Sequence, residues 1–569
     1  MITPAQTAGE TTPETTVDET EVKNVGESVG LSSTEQLQEI VTPVKVDRLD
    51  RWLEGYDENE RQYLIDGFSN GFSIACEEVP NASGTAEFSN HNSAKQHPEV
   101  LRELIMEEVQ KGRIAGPFNT KPFPNLHISP LSLREKKEKN KFRLIHDLSH
   151  PHGDSVNNGI SDEQASVSYE TLDTAIKHIQ NTGKDCFLAK TDIKGAFRII
   201  PVRPADRLLL GMEVDGKFYF DKCLAMGCRS SCKIFESFSR ALQWICQNKL
   251  GIKIMVHVLD DFLLINFTDT GCQDDLDKFI KFCIDIGVPL APEKTLGPYQ
   301  VLVFLGIEVD TTEMVSRLPQ EKIEKCMQEI KKLMPTKVKK IRLRQLQSVI
   351  GLLNFACKVV SPGRAFLRRL IDRTCNVKSK FHYVRLNQED KEDLKMWLKF
   401  LGKFNGICMF HQLSWFEAPD LHLYTDASKI GYGAVLKTQW LAGKFPQDCT
   451  KLNITVLELF PIFLALNVWG NELRNKKLRI HTDNLDLVHV INKKTSREKA
   501  IMPLVRELVL VTLKGNILLH AVHIAGVDNN IADALSRFQF QRFRSIAPHM
   551  DEEPVMVPSH LLPSVMLNT

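Results

Sequence analysis

Two adjacent aspartates, Asp260 and Asp261, stand between two apolar runs in the stretch Val256–Ile265, VHVLDDFLLI. Val256 and Val258 alternate with His257 and Leu259 before the run Phe262–Ile265, a pattern that predicts a β-hairpin whose tight turn carries the pair. Neighbouring carboxylates repel each other, and apolar flanks withhold the water that would screen them. A divalent cation is the common remedy; an ordinary polar turn is the plain alternative. Three other apolar runs also end in an aspartate: Cys186–Asp192 (CFLAKTD), Leu421–Asp426 (LHLYTD) and Leu478–Asp483. Each reads as a strand delivering a carboxylate to a sheet edge.

The chain is 569 residues long, enough for about three or four domains. No run of about 18 apolar residues occurs, and the start, MITPAQTAGETTPETT, lacks a basic-then-apolar pattern. Neither a membrane span nor a secretory signal is expected, which points to an intracellular protein of the cytoplasm or nucleus. The 13 cysteines are odd in number and scattered, as suits reduced thiols. Cys223, Cys228 and Cys232 cluster without a CxxC pair and read as packed thiols. The net charge of +1 hides an asymmetry: residues 1–60 hold 14 acids against 4 bases, −10, which leaves +11 for the remainder. A modestly basic body suits a nucleic-acid binder.

Residues 1–44, rich in Thr, Glu, Pro and Ser, are expected to form an acidic disordered tail, and 45–90 a small helical region with a polar linker. A capsid-like assembly role for this helical region is neither supported nor excluded by composition. His97–Gly112 reads as an amphipathic helix. A Pro-punctuated segment, the basic loop Arg134–Lys141 and a strand in Phe142–Leu148 follow. Lys141 and Arg143 lie two apart, so both can project from one strand face toward a polyphosphate or simply into solvent. His146, His150 and His152 have no acidic or Cys partner nearby and read as non-ligands. An extended run after Phe197, a hairpin Leu208–Phe220 turning at Asp215-Gly216, and a helix Ser231–Leu250 come next. Gly227 precedes that helix, where it permits close approach of backbone or ligand. After the Asp260-Asp261 hairpin come a helix at 272–286, a loop at Lys294 and a strand pair Val301–Val309.

Asp192 with Phe197, Gly227 before a helix, the Asp260-Asp261 hairpin, Lys294 and Phe304-Leu305-Gly306 follow one another in the order and spacing of reverse transcriptase fingers and palm. The chain resembles a retroelement polymerase. KFRLIHDLSHP, SVNNGI, HPEVLRELI, GRIAGPF and FPNLHISPL resemble DIRS-type (tyrosine-recombinase) retrotransposon polyproteins more than retroviral or gypsy-type ones. The resemblance covers roughly residues 45–541. It implies a mixed α+β multidomain fold: a right-hand polymerase of fingers, palm and thumb, then a ribonuclease H-like α/β domain. Fingers and palm would occupy 91–312, thumb and connection helices 313–415, ribonuclease H 416–541 and a C-terminal tail 542–569.

By the same resemblance, Asp192 and Asp260 are the principal metal ligands and Asp261 a secondary one. Backbone around Ile193 would cradle the triphosphate. Lys141 and Arg143 would grip the incoming dNTP, with Met226 and Gly227 beside it, and Lys294 would protonate the leaving pyrophosphate. Phe197 would block a ribose 2′-hydroxyl; a core phenylalanine is the plain alternative. Phe304, Leu305 and Gly306 match the primer grip. The position of Val258 usually carries Tyr or Phe, and that of Met226 often Gln or Phe, which bears on fidelity and rate. Asp269-Thr270-Gly271 has the letters of an aspartic-protease motif, but it opens a helix, where Asp269 or Thr270 makes a good N-cap.

Helices from Pro319 and from Leu343 carry Lys331, Lys332, Lys337, Lys339, Lys340, Arg342 and Arg344 on or between them, with no acid in 331–344. Such helices suit a thumb on a duplex phosphate backbone, or a merely solvated face. YTDAS, TVLELFP, HTDN and HIAGVDNNIADALSR resemble retroelement ribonuclease H. Asp426, Glu458, Asp483 and Asp533 are its four expected metal ligands, and His523 its assisting histidine. Thr455-x-x-Glu458 also reads as a capping box, and Pro461 as a kink. The implied cofactor is Mg²⁺, about two ions per active site, with Mn²⁺ as a substitute. The implied partners are an RNA template, a DNA or RNA primer, RNA–DNA hybrid and dNTPs, with no membrane and with integration machinery supplied by another protein. The implied function is RNA-directed DNA polymerase with ribonuclease H activity; the alternative is a decayed or co-opted nucleic-acid-binding remnant.

Overall fold

The computed structural model describes residues 37–567 except 79, 81–88, 137–140, 336–339, 376, 378, 380, 404–420, 475 and 516. The first 36 residues of the expected tail, Lys337 and Lys339, and part of the polar linker before residue 90 and of the basic loop lie outside the described residues.

The Phe187–Asp192 strand is the spine of the first half. It sits in a four-stranded antiparallel sheet between Asp261–Asn266 and Leu296–Tyr299, with Met255–Val258 outermost. Both faces are buried, and alternate residues go to different cores. Ala189, Phe262 and Leu264 pack with Phe235 and Phe238 of the Ser231–Asn248 helix and Phe279 of the Asp269–Ile286 helix. Leu188, Val256 and Leu263 pack with Ala175 and Ile179 of the Leu172–Thr182 helix and with Leu302 and Val309. Each of these valine, leucine, isoleucine and phenylalanine side chains contributes about 1.5–3 kcal/mol of burial, the alanines less. A one-residue slip would exchange the two sets, so the hydrophobic pattern fixes the register that sets Asp192 opposite Asp261.

The N-terminal stretch is part of this core. In the helices Val46–Trp52 and Glu58–Asn70, Leu49, Leu64 and Phe68 join the cluster that holds Phe238. Trp52 Nε1 donates to Asp285 Oδ2 at 3.0 Å. Residues 37–44, expected within the disordered tail, are tied down. The buried Arg207 guanidinium donates to the carbonyls of Leu37 and Glu39, each at 2.8 Å, and Thr42 Oγ1 donates to Ile199 O at 2.7 Å.

Several local expectations change. Gly195 (φ 69°) turns the chain into a 3₁₀ helix, Ala196–Ile199, where an extended run was expected. Pro204 opens another, Pro204–Leu209, so the following hairpin begins at Gly211. Its Asp215-Gly216 turn has φ of 52° and 71°, the two positive values of a type I′ turn. Thr268 caps the Asp269–Ile286 helix, its hydroxyl accepting from Gly271 N at 3.1 Å; neither Asp269 nor Thr270 is the cap.

After Val301–Phe304 and Ile307–Asp310, the helices Gln320–Leu333, Leu343–Ala356 and Gln388–Lys403 form an apolar bundle around Leu346, Leu353 and Trp397. The same core continues into the last domain. There a five-stranded sheet runs in the order Gln439–Lys444, Gly431–Leu436, His422–Ala427, Lys477–Thr482, Leu518–His523. The first three strands are antiparallel and the last two pairings parallel. Helices Ile454–Val468 and Met502–Gly515 cover one face and Asn530–Ser536 the other. Much of the expected C-terminal tail is docked: Phe543, Ala547 and Met550 pack on Trp440, and Val555 N donates to Trp440 O at 2.8 Å along the sheet edge. Among the described residues, no helix is long and apolar enough to cross a membrane. The described cysteines are free thiols.

Candidate active sites

The Asp260-Asp261 hairpin forms. Val258 pairs with Asp261, so the turn residues are Leu259 and Asp260, and Leu259 takes φ 54°. That backbone region is costly for a bulky residue. Ser239 Oγ steadies the turn by donating to Leu259 O at 2.9 Å. Asp192 ends its strand directly across from Asp261. Burial, then the charges of Asp260 and Asp192, pushes Asp261 up to about 6. Burial and Asp192 also raise Asp260, with Lys294 and Arg143 pulling against them. Lys294 Nζ donates to Asp192 Oδ2 at 2.7 Å. Burial opposes the Lys294 charge, but the three carboxylates hold its pKa above the usual lysine value.

Among the described residues, no three Asp, Glu, His or Cys side chains close into a metal cage. The donor set still fits a hard divalent cation: three carboxylates meet at one sheet edge, two of them made reluctant to ionise by burial and mutual charge.

The surrounding residues divide. Arg143 is exposed on the Phe142–His146 strand and acts on Asp260. Lys141 is exposed just before that strand. Phe197 is half-buried, its ring centroid 5.7 Å from that of Phe235. Gly227 has φ 130°, and a Cβ there would lie 2.0 Å from the His146 carbonyl oxygen, so the close approach it permits is of backbone. Met226 contributes its carbonyl to His146 N at 3.1 Å. Two of the amides expected to cradle a triphosphate are engaged within the chain: Ile193 N donates to Asp260 O and Lys194 N to Pro289 O. His146 does have an acidic partner, Asp221, with Nδ1 3.3 Å from Oδ2, because the fold brings together residues 75 apart in the chain. Phe304 is a buried core residue; Leu305 and Gly306, with φ of 47° and 75°, form a half-buried turn beyond it, the Gly306 carbonyl accepting from Lys322 Nζ at 2.7 Å.

In the C-terminal sheet, Asp426 lies near the end of one strand and Asp483 just after its parallel neighbour. Glu458 comes from the Ile454–Val468 helix and Asp533 from the Asn530–Ser536 helix. Burial, with added repulsion from Asp483 and Asp426, pushes Glu458 up to about 7, although Asn484 donates to it. Glu458 Oε2 is buried without a hydrogen-bond partner among the described residues, an acceptor that suits a cation. Burial also raises Asp426, against the Ser536 hydroxyl that donates to it. Asp533 goes the other way. Burial is outweighed by Arg537 and Arg542, whose nitrogens lie 2.6 and 2.7 Å from its oxygens. His523 is exposed, its Nε2 3.1 Å from Asp483 O. The capping-box reading of Glu458 fails: Asn453 is the N-cap, accepting from Thr455 N at 3.0 Å. Pro461 is accommodated inside that helix.

Residues 135–309 match the family described as reverse transcriptase (RNA-dependent DNA polymerase). Residues 418–508 match the RNase H-like domain found in reverse transcriptase. The chain carries a reverse transcriptase domain followed by an RNase H-like domain. No curated protein matches the chain. Similar solved structures include foamy viral protease-reverse transcriptase in complex with dsDNA, at 15% identity, covering 85% of this chain and 98% of that one, with TM-score 0.46. Its dRH form with dsDNA gives 15% identity, 85% and 82% coverage and TM-score 0.49. The complex with RNA/DNA hybrid gives 14% identity, 84% and 62% coverage and TM-score 0.45.

Four further residues hold parts of these domains in place. In the reverse transcriptase domain, Asn157 of SVNNGI donates to Gly227 O and accepts from Arg229 N, both at 2.8 Å, which pins the loop before the Ser231–Asn248 helix. Lys190, two residues before Asp192, is half-buried. Burial lowers its pKa against the pull of Asp261 and Asp192, and its Nζ donates to Val303 O at 2.6 Å. In the RNase H-like domain, Ser536 holds Asp426, and Gly433 lets the Asp533 helix approach: a Cβ there would lie 2.5 Å from Leu535 Cβ. The i, i+2 spacing of Lys190 was a usable signal; the other contacts span too much chain to be read locally.

Proposed function

We propose that this protein is an RNA-directed DNA polymerase with ribonuclease H activity. It would copy retroelement RNA and degrade the template strand of the hybrid behind the primer. The observation that carries the reading is the meeting of Asp192, Asp260 and Asp261 at one sheet edge, with Lys294 bonded to Asp192.

In this reading Asp192 and Asp260, with Asp261 helping, are the residues that would hold about two Mg²⁺ ions; bound there, these would supply a lowered pKa for the attacking 3′-hydroxyl and a counter-charge for the leaving pyrophosphate. Arg143 and Lys141 hold the triphosphate. Lys294, already protonated and beside the acids, donates its proton to the pyrophosphate as it departs. Phe197, backed by Phe235, meets the sugar and rejects a 2′-hydroxyl. The Leu305-Gly306 turn supports the primer end, with Phe304 anchoring it from the core. In the second site Asp426, Glu458, Asp483 and Asp533 hold the metal pair, and His523 assists proton transfer or product release. Residues 91–312, 313–415 and 416–541 are assigned as fingers and palm, thumb and connection, and ribonuclease H. The motif set KFRLIHDLSHP and SVNNGI favours a DIRS-type element as its source.

The two activities should separate. Asp483→Asn should abolish cleavage of RNA in a hybrid while primer extension persists. Continued cleavage by that variant would remove the ribonuclease assignment.

A further inference from the structure

The hairpin that carries Asp260 and Asp261 stands at the margin of its sheet. Met255–Val258 is the outermost strand, paired with Asp261–Asn266 on one side and with no strand on the other among the described residues. An edge usually leaves its free N–H and C=O groups to water. This edge is buried: Met255 and Val256 are 0% exposed and His257 is 1% exposed. Buried backbone groups without partners are costly, so side chains have to take the place of a neighbouring strand.

His257 N donates to Glu170 Oε2 at 2.7 Å, and Gln243 Nε2 donates to Met255 O at 2.7 Å. Ser239, whose hydroxyl donates to Leu259 O, continues the row toward the turn. Residues 255, 257 and 259 alternate along the chain, so these groups leave the same edge. Gln243 Nε2 also reaches Glu170 Oε1 at 3.4 Å, which joins the two main holds. Glu236, Ser239 and Gln243, at spacings of three and four, come from one face of the Ser231–Asn248 helix. Glu236 Oε1 lies 3.2 Å from His257 Nε2, so the side chain of that strand residue is held as well. Arg240 of the same helix donates from Nη2 to Ser168 O at 2.9 Å and brings the segment bearing Glu170 against the strand. On the inner side, Ile193 N donates to Asp260 O at 3.1 Å. The outer edge therefore decides how far Leu259, held at a costly φ of 54°, can relax and carry Asp260 with it.

We propose that Glu170 and Gln243 are positioning residues of the polymerase centre: they stand in for a neighbouring strand on the open edge of the hairpin and so fix Asp260 relative to Asp192. This role rests on the polymerase reading above. In it, both side chains act through the hairpin backbone and neither meets substrate. An error of about 1 Å in the placing of a catalytic group costs on the order of 10²-fold in rate, which sets the scale of the expected effect.

Primer extension by the full chain tests the role. Glu170→Ala removes the acceptor and should lower kcat by about 10- to 100-fold, with KM for dNTP within about twofold of the wild type. Glu170→Gln keeps a carbonyl oxygen for the His257 amide and should recover most of that loss. Gln243→Leu removes the donor to Met255 O and should lower kcat in the same way, which gives a second, independent variant. Hybrid cleavage at the wild-type rate in each variant excludes general misfolding. Hydrogen–deuterium exchange, without metal or substrate, reads the contact itself. In Glu170→Ala the peptide containing the His257 amide should exchange faster, while the Asp269–Ile286 helix keeps its wild-type protection. Unchanged kcat in both Glu170→Ala and Gln243→Leu, an equal loss in Glu170→Gln, or unaltered exchange at His257 overturns the proposal. Wild-type synthesis untouched by the variants removes this role alone; absence of wild-type synthesis removes the polymerase reading and this role with it.

Discussion

Lys294 Nζ lies 2.7 Å from Asp192 Oδ2, across a gap of 102 residues in the chain. This one contact joins the proposed proton donor to the proposed metal set. Lys294→Ala should lower kcat for primer extension by about 10²-fold with a smaller effect on KM for dNTP. Lys294→Arg should keep the charge beside Asp192 but not the proton-donating role. Single-turnover incorporation measures both.

The acidic limb of the pH–rate profile follows from Asp261, pushed up to about 6. Below that pH it binds a proton and loses its hold on a cation, so extension should fall as pH drops through about 6. Lys294 lowers the proton affinity of Asp260 and Asp261. In Lys294→Ala the limb should therefore move to higher pH. Extension rates between pH 5 and 8, with Mg²⁺ held below saturation so that the proton competes with the cation, provide the check.

At the second site, stability runs the opposite way with pH. Glu458 is raised to about 7 from an ordinary value of 4.5, so the folded chain binds the extra proton between those values. Its contribution is therefore destabilising, and progressively so as pH rises through this window. Glu458→Gln should raise Tm at pH 8, on the scale of about 2–4 °C per kcal/mol of strain relieved, and abolish hybrid cleavage. Mg²⁺ should raise Tm in the wild type more than in the variant. Differential scanning calorimetry with and without Mg²⁺ distinguishes these outcomes.

Phe197 is half-buried against Phe235. Phe197→Ala should open room for a 2′-hydroxyl and raise the rNTP-to-dNTP incorporation ratio by about tenfold or more. Asp260-dependent synthesis should persist in the variant. An unchanged ratio would return Phe197 to the role of a core residue.

The placing of the acids at strand ends was legible because apolar runs that end in an acid are local patterns. CFLAKTD, VHVLDD and LHLYTD each became strands carrying their aspartates at or beside an end. What was not legible depends on long-range pairing. The Ile193 amide was expected to face a triphosphate, but the strand-to-loop geometry gives it to Asp260 O. His146 looked unpartnered until the fold set Asp221 beside it. Residues 37–44 have tail-like composition, yet their carbonyls satisfy a buried arginine, Arg207, that only the folded chain presents. Val258, where an aromatic is usual in reverse transcriptases, simply fills the ladder position opposite Asp261; nothing in the structure explains the departure.

Primer extension on an RNA template with dNTPs and Mg²⁺ decides whether Asp192, Asp260 and Asp261 form a polymerase centre. The wild-type chain should extend the primer, and Asp260→Asn should not, while both cleave hybrid RNA alike. No synthesis by the wild type, or equal synthesis by Asp260→Asn, would rule out a polymerase centre at these three acids.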